Sequence, residues 1–89
     1  MRSIDGFIWE EWVIDKLDWK HQVTTDEVEE CFFNPPYKVR RTVANKYLLY
    51  GRCFSGRYLF IVFVWVDRQV KVISAREMEN HERSYYKQK

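Results

Sequence analysis

Apolar positions divide the chain by period. Up to residue 36 they recur at helical spacing, from Tyr37 to Ala75 they follow strands, and the end returns to a helix. In "WEEWVIDKLDWK" (9–20), Trp9, Trp12, Val13, Leu17 and Lys20 fall near helical spacing. This predicts a short helix after a brief extended "GFIW", closed by His21, whose cationic form suits a helix C-terminus. "VTTDEVEECFFNPP" predicts a second helix more sharply. Thr24 is its N-cap and Glu27, three residues on, completes a capping box. Val23 and Val28 form a hydrophobic staple. Val28, Cys31 and Phe32 make the apolar stripe, and Pro35–Pro36 stop the helix.

"YKVRRTV" reads as a first strand, "KYLLYGR" as a second after Asn45, and "CFSGR" as a turn with Ser55-Gly56 at its tip. "YLFIVFVWV" is apolar on both faces, as a central strand must be. After "DRQ", "VKVISAR" is the last strand. Strict alternation there puts Val70, Val72, Ser74 and Arg76 on one face, and Lys71, Ile73 and Ala75 on the other. Residues 78–87 predict a terminal helix with i, i+4 pairs His81–Tyr85 and Glu82–Tyr86. Short connections imply an antiparallel meander. The expected fold is α+β: a four-stranded antiparallel meander with two N-terminal helices and one C-terminal helix, packed on one face. There is room for a small strand ahead of the first helix.

With 89 residues the chain is expected to form a single domain, 1–89, with a modest core. Aromatics at 18% supply much of that core, and any left exposed are contact surfaces. The net charge of +2 hides a segregation. Residues 1–34 carry three basic and nine acidic side chains, whereas residues 35–89 carry twelve basic and four acidic. One face suits an anion and another something else, unless the halves neutralise each other across the fold. Cys31 and Cys53 lack C-x-x-C spacing and read as reduced thiols. No signal peptide is visible, and the longest apolar run is too short to span a membrane. The expected location is the cytoplasm, with no membrane partner.

With the elements in order, the chain resembles BrnT-type toxins of the RelE-like superfamily of small bacterial ribonuclease toxins. "WKHQV" with its following helix, "YLLYGRCFSGRYLFIVFV" and "VISAREMENHERSYY" carry the resemblance over residues 9–87. It implies the toxin of a type II toxin–antitoxin pair, which cleaves RNA and inhibits translation. A DNA-binding antitoxin would neutralise it and repress the promoter, so that promoter DNA is met only through the complex. The chain departs from the family pattern at Gln22, where glycine is usual after the KH pair. It departs again at Glu79, Asn80 and His81, where the family's terminal helix commonly starts with Ser or Thr and is strongly basic.

Such cleavage needs three things: a 2′-hydroxyl deprotonated, charge on the phosphorane stabilised, and the leaving 5′-oxygen protonated. Arg76 ends a strand just before a helix, facing the same way as Ser74, and its guanidinium fork matches phosphate oxygens. Its alternative role is pairing with Glu79 or Glu82. Arg52, at the family's GR position, could join Arg76 on one scissile phosphate. His21, of the KH pair, has a pKa suited to proton transfer; its duller role is a helix cap. Glu82 could orient an arginine or act as base. Arg83 and Tyr86 complete the ER-x-x-Y pattern, and with Ser74 and Arg57 they are candidate RNA contacts. No metal-ligand motif, P-loop or Ser/His/Asp set is present, so neither metal nor cofactor is expected. The rival readings are a non-catalytic interaction module on the same fold, to which the acidic terminal helix points, and a plain nucleic-acid binder.

Overall fold

The structure, a computed structural model, describes residues 3–88. Its elements run β1 (Gly6–Ile8), α1 (Glu11–Lys16), a π-helical turn (Leu17–His21), α2 (Thr25–Phe32), β2 (Lys38–Arg41), β3 (Tyr47–Arg52), β4 (Tyr58–Val66), β5 (Gln69–Glu77) and α3 (Asn80–Lys87). α2 begins as its sequence demands. Thr24 Oγ1 accepts from the Glu27 N–H at 3.1 Å, and Glu27 Oε1 accepts from the Thr24 N–H at 3.0 Å. Val23 and Val28 are buried beneath this cap. Along α1 and the π turn the buried positions are Val13 and Leu17, while Trp12 and Trp19 stand in solvent.

The sheet has five strands, not four, in the order β1-β5-β4-β3-β2. The meander β2–β5 is antiparallel as expected, and β1 adds a parallel edge beside β5. Three residues are too few for alternation to reveal a strand, which is why "GFI" resembles a lead into α1. β1 pairs only with Gln69–Lys71. The rest of β5's outer edge therefore lies open to α1 and the π turn, and Lys16 Nζ donates to the Ile73 carbonyl at 3.4 Å.

The alternation expected along β5 breaks at Ile73. Phe63 pairs with Val72 but Val62 pairs with Ser74, so Ile73 is an extra residue in a β-bulge. The bulge inverts the register. Val70, Val72 and Ala75 all enter the core, while Ser74 and Arg76 turn to the opposite face. A strictly alternating strand would have driven either Val72 or Arg76 to the wrong side.

Core residues Leu49, Leu59, Ile61, Phe63, Val70, Val72 and Ala75 meet Val13, Leu17, Val28, Cys31 and Phe32 from α1, the π turn and α2. Edge-to-face rings Phe7–Phe32 and Phe32–Phe63 knit this layer at centroid distances of 5.3 and 5.1 Å. The glycine of "YGR" has a packing reason. A Cβ on Gly51 would come within 3.3 Å of Cys31 Cβ and 3.0 Å of Leu49 Cδ2, so α2 rests on β3 only because none is there. Burial pushes the Cys31 thiol up to about 12.

The helices do not share one face. α3 lies on the other side of the sheet. There Tyr85 packs edge-on against Tyr50 at 4.8 Å, and Tyr50 against Phe60 at 5.3 Å. This second face collects Lys38, Arg40, Arg52, Tyr58, Phe60, Ser74 and Arg76 by strand pairing.

Candidate functional site

Basic and aromatic side chains alternate on the face under α3, and the rings organise the cations. The Arg76 guanidinium lies 4.6 Å from the Phe60 ring centroid. Arg52, Arg83 and Lys87 approach the Tyr58 ring at 4.9, 5.1 and 5.3 Å. Lys38 and Arg40 flank Tyr85, and Lys38 also donates to the Tyr85 carbonyl. Tyr86 packs against Tyr58, and its hydroxyl donates to the Pro36 carbonyl at 2.7 Å.

Two depressions open on this region. The first, about 370 Å³, is lined by Lys20, His21, Gln22, Arg76, Glu77 and Glu79. It forms where the π turn passes the open edge of β5 and brings His21 beside Arg76. Burial, followed by the charges of Lys20, Lys16 and Arg76, holds the His21 imidazole below its ordinary 6.5, so it is neutral at neutral pH. The second depression, about 580 Å³, is bounded by Asn34–Lys38, Arg52, Tyr58 and Tyr86–Gln88. Asn34 Nδ2 donates to the Arg52 carbonyl at 2.9 Å, fixing the strand end there. Gly56 leaves space for the Arg52 guanidinium, since a Cβ would stand 3.3 Å from Nη2.

Arg76 is already engaged. Its Nη1 and Nη2 donate to the two oxygens of Glu82 at 2.8 and 2.9 Å, Nη1 also donates to the Glu77 carbonyl, and Glu79 stands 3.8 Å away. Glu82 is only 6% exposed and also accepts from the Glu79 N–H at 2.8 Å, which caps α3. Burial works to raise its pKa, but the Arg76 hydrogen bonds, the Glu79 N–H and the Arg76 charge outweigh it and hold Glu82 ionised. Of the two roles left open for Glu82, orienting an arginine is the one this geometry serves.

A family model for "Ribonuclease toxin, BrnT, of type II toxin-antitoxin system" matches residues 9–82. The chain belongs to the BrnT family. It is similar to the crystal structure of the Brucella abortus ribonuclease toxin BrnT, with a TM-score of 0.72 and 25% identity over 84% of this chain and 97% of that one. The α+β architecture is thus common to both. No curated protein sequence matches the chain.

Against the BrnT pattern, Gln22 gains meaning. It occupies the left-handed region (φ 51, ψ 45) at the end of the π turn, where glycine carries no Cβ penalty. Its Nε2 donates to the Trp19 carbonyl at 3.2 Å, and its own carbonyl accepts from Arg57 Nη1 at 2.9 Å.

The sequence-derived site residues separate into groups. His21, Arg76 and Glu82 come together at one end of the face, with Ser74 two residues before Arg76 on the same strand and facing the same way. Arg52, Arg83 and Tyr86 gather around Tyr58. Arg52 and Arg76 share the face but line different depressions and stack on different rings. Arg57 belongs to neither group. Its fork is held by Glu27 at 2.9 and 3.0 Å and by Glu77 at 3.2 Å, and it ties α2 to the end of β5. Arg57 was expected among the RNA contacts, and here its fork is engaged by carboxylates from α2 and β5. Lys20, Lys38, Tyr58 and Lys87 were missed. For Lys38 and Tyr58 the signal was a two-residue period of basic and aromatic residues on β2–β4, hidden because β4 is apolar on both faces.

Proposed function

We propose that this BrnT-family chain is an endoribonuclease toxin that cleaves RNA without a metal and thereby inhibits translation. The observation that carries this reading is the neutral His21 in one groove with Arg76. His21 takes the proton of a 2′-hydroxyl as that oxygen bonds to phosphorus, the bond to the 5′-oxygen breaks to leave a 2′,3′-cyclic phosphate, and water protonates the departing 5′-oxygen. Arg76, held in place by Glu82, faces the charge that gathers on the phosphorane. The strand runs on across the face to the Tyr58 depression, where Arg52, Arg83 and Lys87 meet backbone phosphates and the tyrosines offer stacking surface. The metal-free reading rests on the donor set. Glu79, His81 and Glu82 bring ligand atoms within 4.8 Å of one another, yet both oxygens of Glu82 already accept from Arg76. The expected partner is an antitoxin with a DNA-binding domain that covers the basic face and meets promoter DNA as a complex.

The test is cleavage of a labelled RNA by purified protein, with folding checked by circular dichroism. Activity should persist in chelator. His21→Ala and Arg76→Ala should each lower it by about tenfold or more, on the order of 1.4 kcal/mol of transition-state stabilisation. Arg76→Lys should fare poorly because a point charge lacks the fork. Wild-type cleavage by a folded Arg76→Ala protein would remove Arg76 from the mechanism. A second reading, a non-catalytic interaction module, is favoured by the Arg76 fork being closed on Glu82. Intact RNA and normal growth at confirmed soluble expression would select it.

A further inference from the structure

We propose that the outer face of α2 is a docking site for a partner-protein segment that carries an arginine or lysine beside an apolar side chain. Asp26, Glu29, Glu30 and Phe33 recur at i, i+3, i+4 and i+7, so they form one stripe along the helix and its C-cap. Phe54, from the turn between β3 and β4, closes the far side, and the five residues line a depression of about 280 Å³. Phe33 is 59% exposed and Phe54 66%, an apolar pair left in water.

The carboxylates between the rings are fixed in place. Glu29 Oε2 accepts from the Trp9 indole N–H at 2.8 Å, and Glu30 Oε1 accepts from the Phe54 backbone N–H at 2.9 Å. Each keeps its second oxygen for a guest. None of Asp26, Glu29 and Glu30 pairs with a cation among the described residues. Glu10, Glu27, Glu77, Glu79 and Glu82 all do. Uncompensated negative charge flanked by two phenyl rings is the chemistry that receives a guanidinium or ammonium group. Carboxylates supply charge-assisted hydrogen bonds, rings attract the cation, and the rings also accept the neighbouring apolar side chain. Nucleic acid is repelled by the same charges. α2 lies on the sheet face opposite α3, so an occupant leaves the basic face uncovered. The inference therefore stands apart from RNA cleavage, and a catalytically inert chain would still bind here.

The probe is the acetylated, amidated hexapeptide leucine-arginine-alanine-alanine-leucine-arginine, titrated into the full ¹⁵N-labelled chain and followed by amide NMR shifts. Shifts should concentrate at residues 26–33 and 53–55, and a control peptide with glutamate in place of arginine should leave them unmoved. Glu29→Lys and Phe54→Ser, both surface changes checked for native spectra, should each weaken binding by about tenfold. No shift at millimolar peptide, equal shifts with the glutamate peptide, or shifts centred on Arg52 and Arg83 overturn the proposal. Shifts at these residues that grow with protein concentration alone assign the face to a second copy, and they overturn it as well.

Discussion

Single residues at the π turn show how sequence meets backbone demand. Gln22 holds a left-handed conformation that costs a side-chain-bearing residue roughly 1–2 kcal/mol, and its hydrogen bond to the Trp19 carbonyl recovers part of this. Gln22→Gly should raise stability by about 0.5–1 kcal/mol in urea denaturation. A loss would mean that the side-chain bond outweighs the strain. Next to it, Thr24→Ala removes the oxygen that satisfies the Glu27 N–H and should cost about 0.5–2 kcal/mol in the same assay. His21 carries the pH dependence. Its folded pKa is depressed by burial and then by Lys20, Lys16 and Arg76. The unfolded chain therefore takes up a proton first as pH falls through 6.5, and the stability tied to neutral His21 declines from that point downward. NMR titration should place the His21 midpoint below 6.5, and Lys20→Ala should move it upward. A midpoint unmoved by Lys20→Ala would exclude that charge as a cause.

At the scale of elements, what was legible in the sequence was what short-range rules govern. The capping box of α2, its proline stop, the meander β2–β5 and a terminal helix all follow from residues a few positions apart. The bulge at Ile73 does not, because it answers to the pairing of Phe63 and Val62 across the sheet. Nor does the π turn, an i→i+5 helical segment lying against the open edge of β5. The candidate site was legible in the same measure. Arg76, His21 and Glu82 could be named from their motifs, but the Arg76–Glu82 fork and the separation of Arg52 depend on where α3 docks. That fork joins β5 to α3, and its acid partner gives it a pH signature. Glu82 titrates below its ordinary 4.5 in the folded chain, so it contributes stability above 4.5 that is lost as pH falls through the folded value. Glu82→Gln should lower stability at neutral pH by about 1–3 kcal/mol, since hydrogen bonds to a charged group are lost. It should also flatten the acid limb of the stability profile. Equal acid limbs in the two proteins would show that Glu82 is not the group responsible.

Across the whole molecule the charge segregation of the sequence becomes spatial. Among the described residues, acidic side chains without a cation partner crowd α1 and α2 on one side of the sheet, while Lys38, Arg40, Arg52, Arg76, Arg83 and Lys87 occupy the other. Three ion pairs join the halves, Arg57–Glu27, Arg68–Asp5 and Lys71–Glu10, but none of them involves a cation of the face under α3. RNA bound on the basic face should thus release counterions, and the logarithm of its affinity should fall linearly with the logarithm of salt concentration. Each single-stranded phosphate contact adds about 0.7 to the slope. Arg52→Ala and Arg76→Ala should each reduce the slope by about that amount, whereas Arg57→Ala, whose fork is turned to Glu27 of α2 and away from the face under α3, should lower stability and leave the slope alone. Because Arg52 and Arg76 line separate depressions and stack on different rings, the double variant should lose affinity by close to the sum of the single losses. Two arginines serving one phosphate, as the sequence led one to expect, would instead give a double loss well short of the sum. Binding of a non-cleavable 2′-deoxy-substituted RNA across a salt series decides between the two arrangements, because it reads phosphate contacts with chemistry removed.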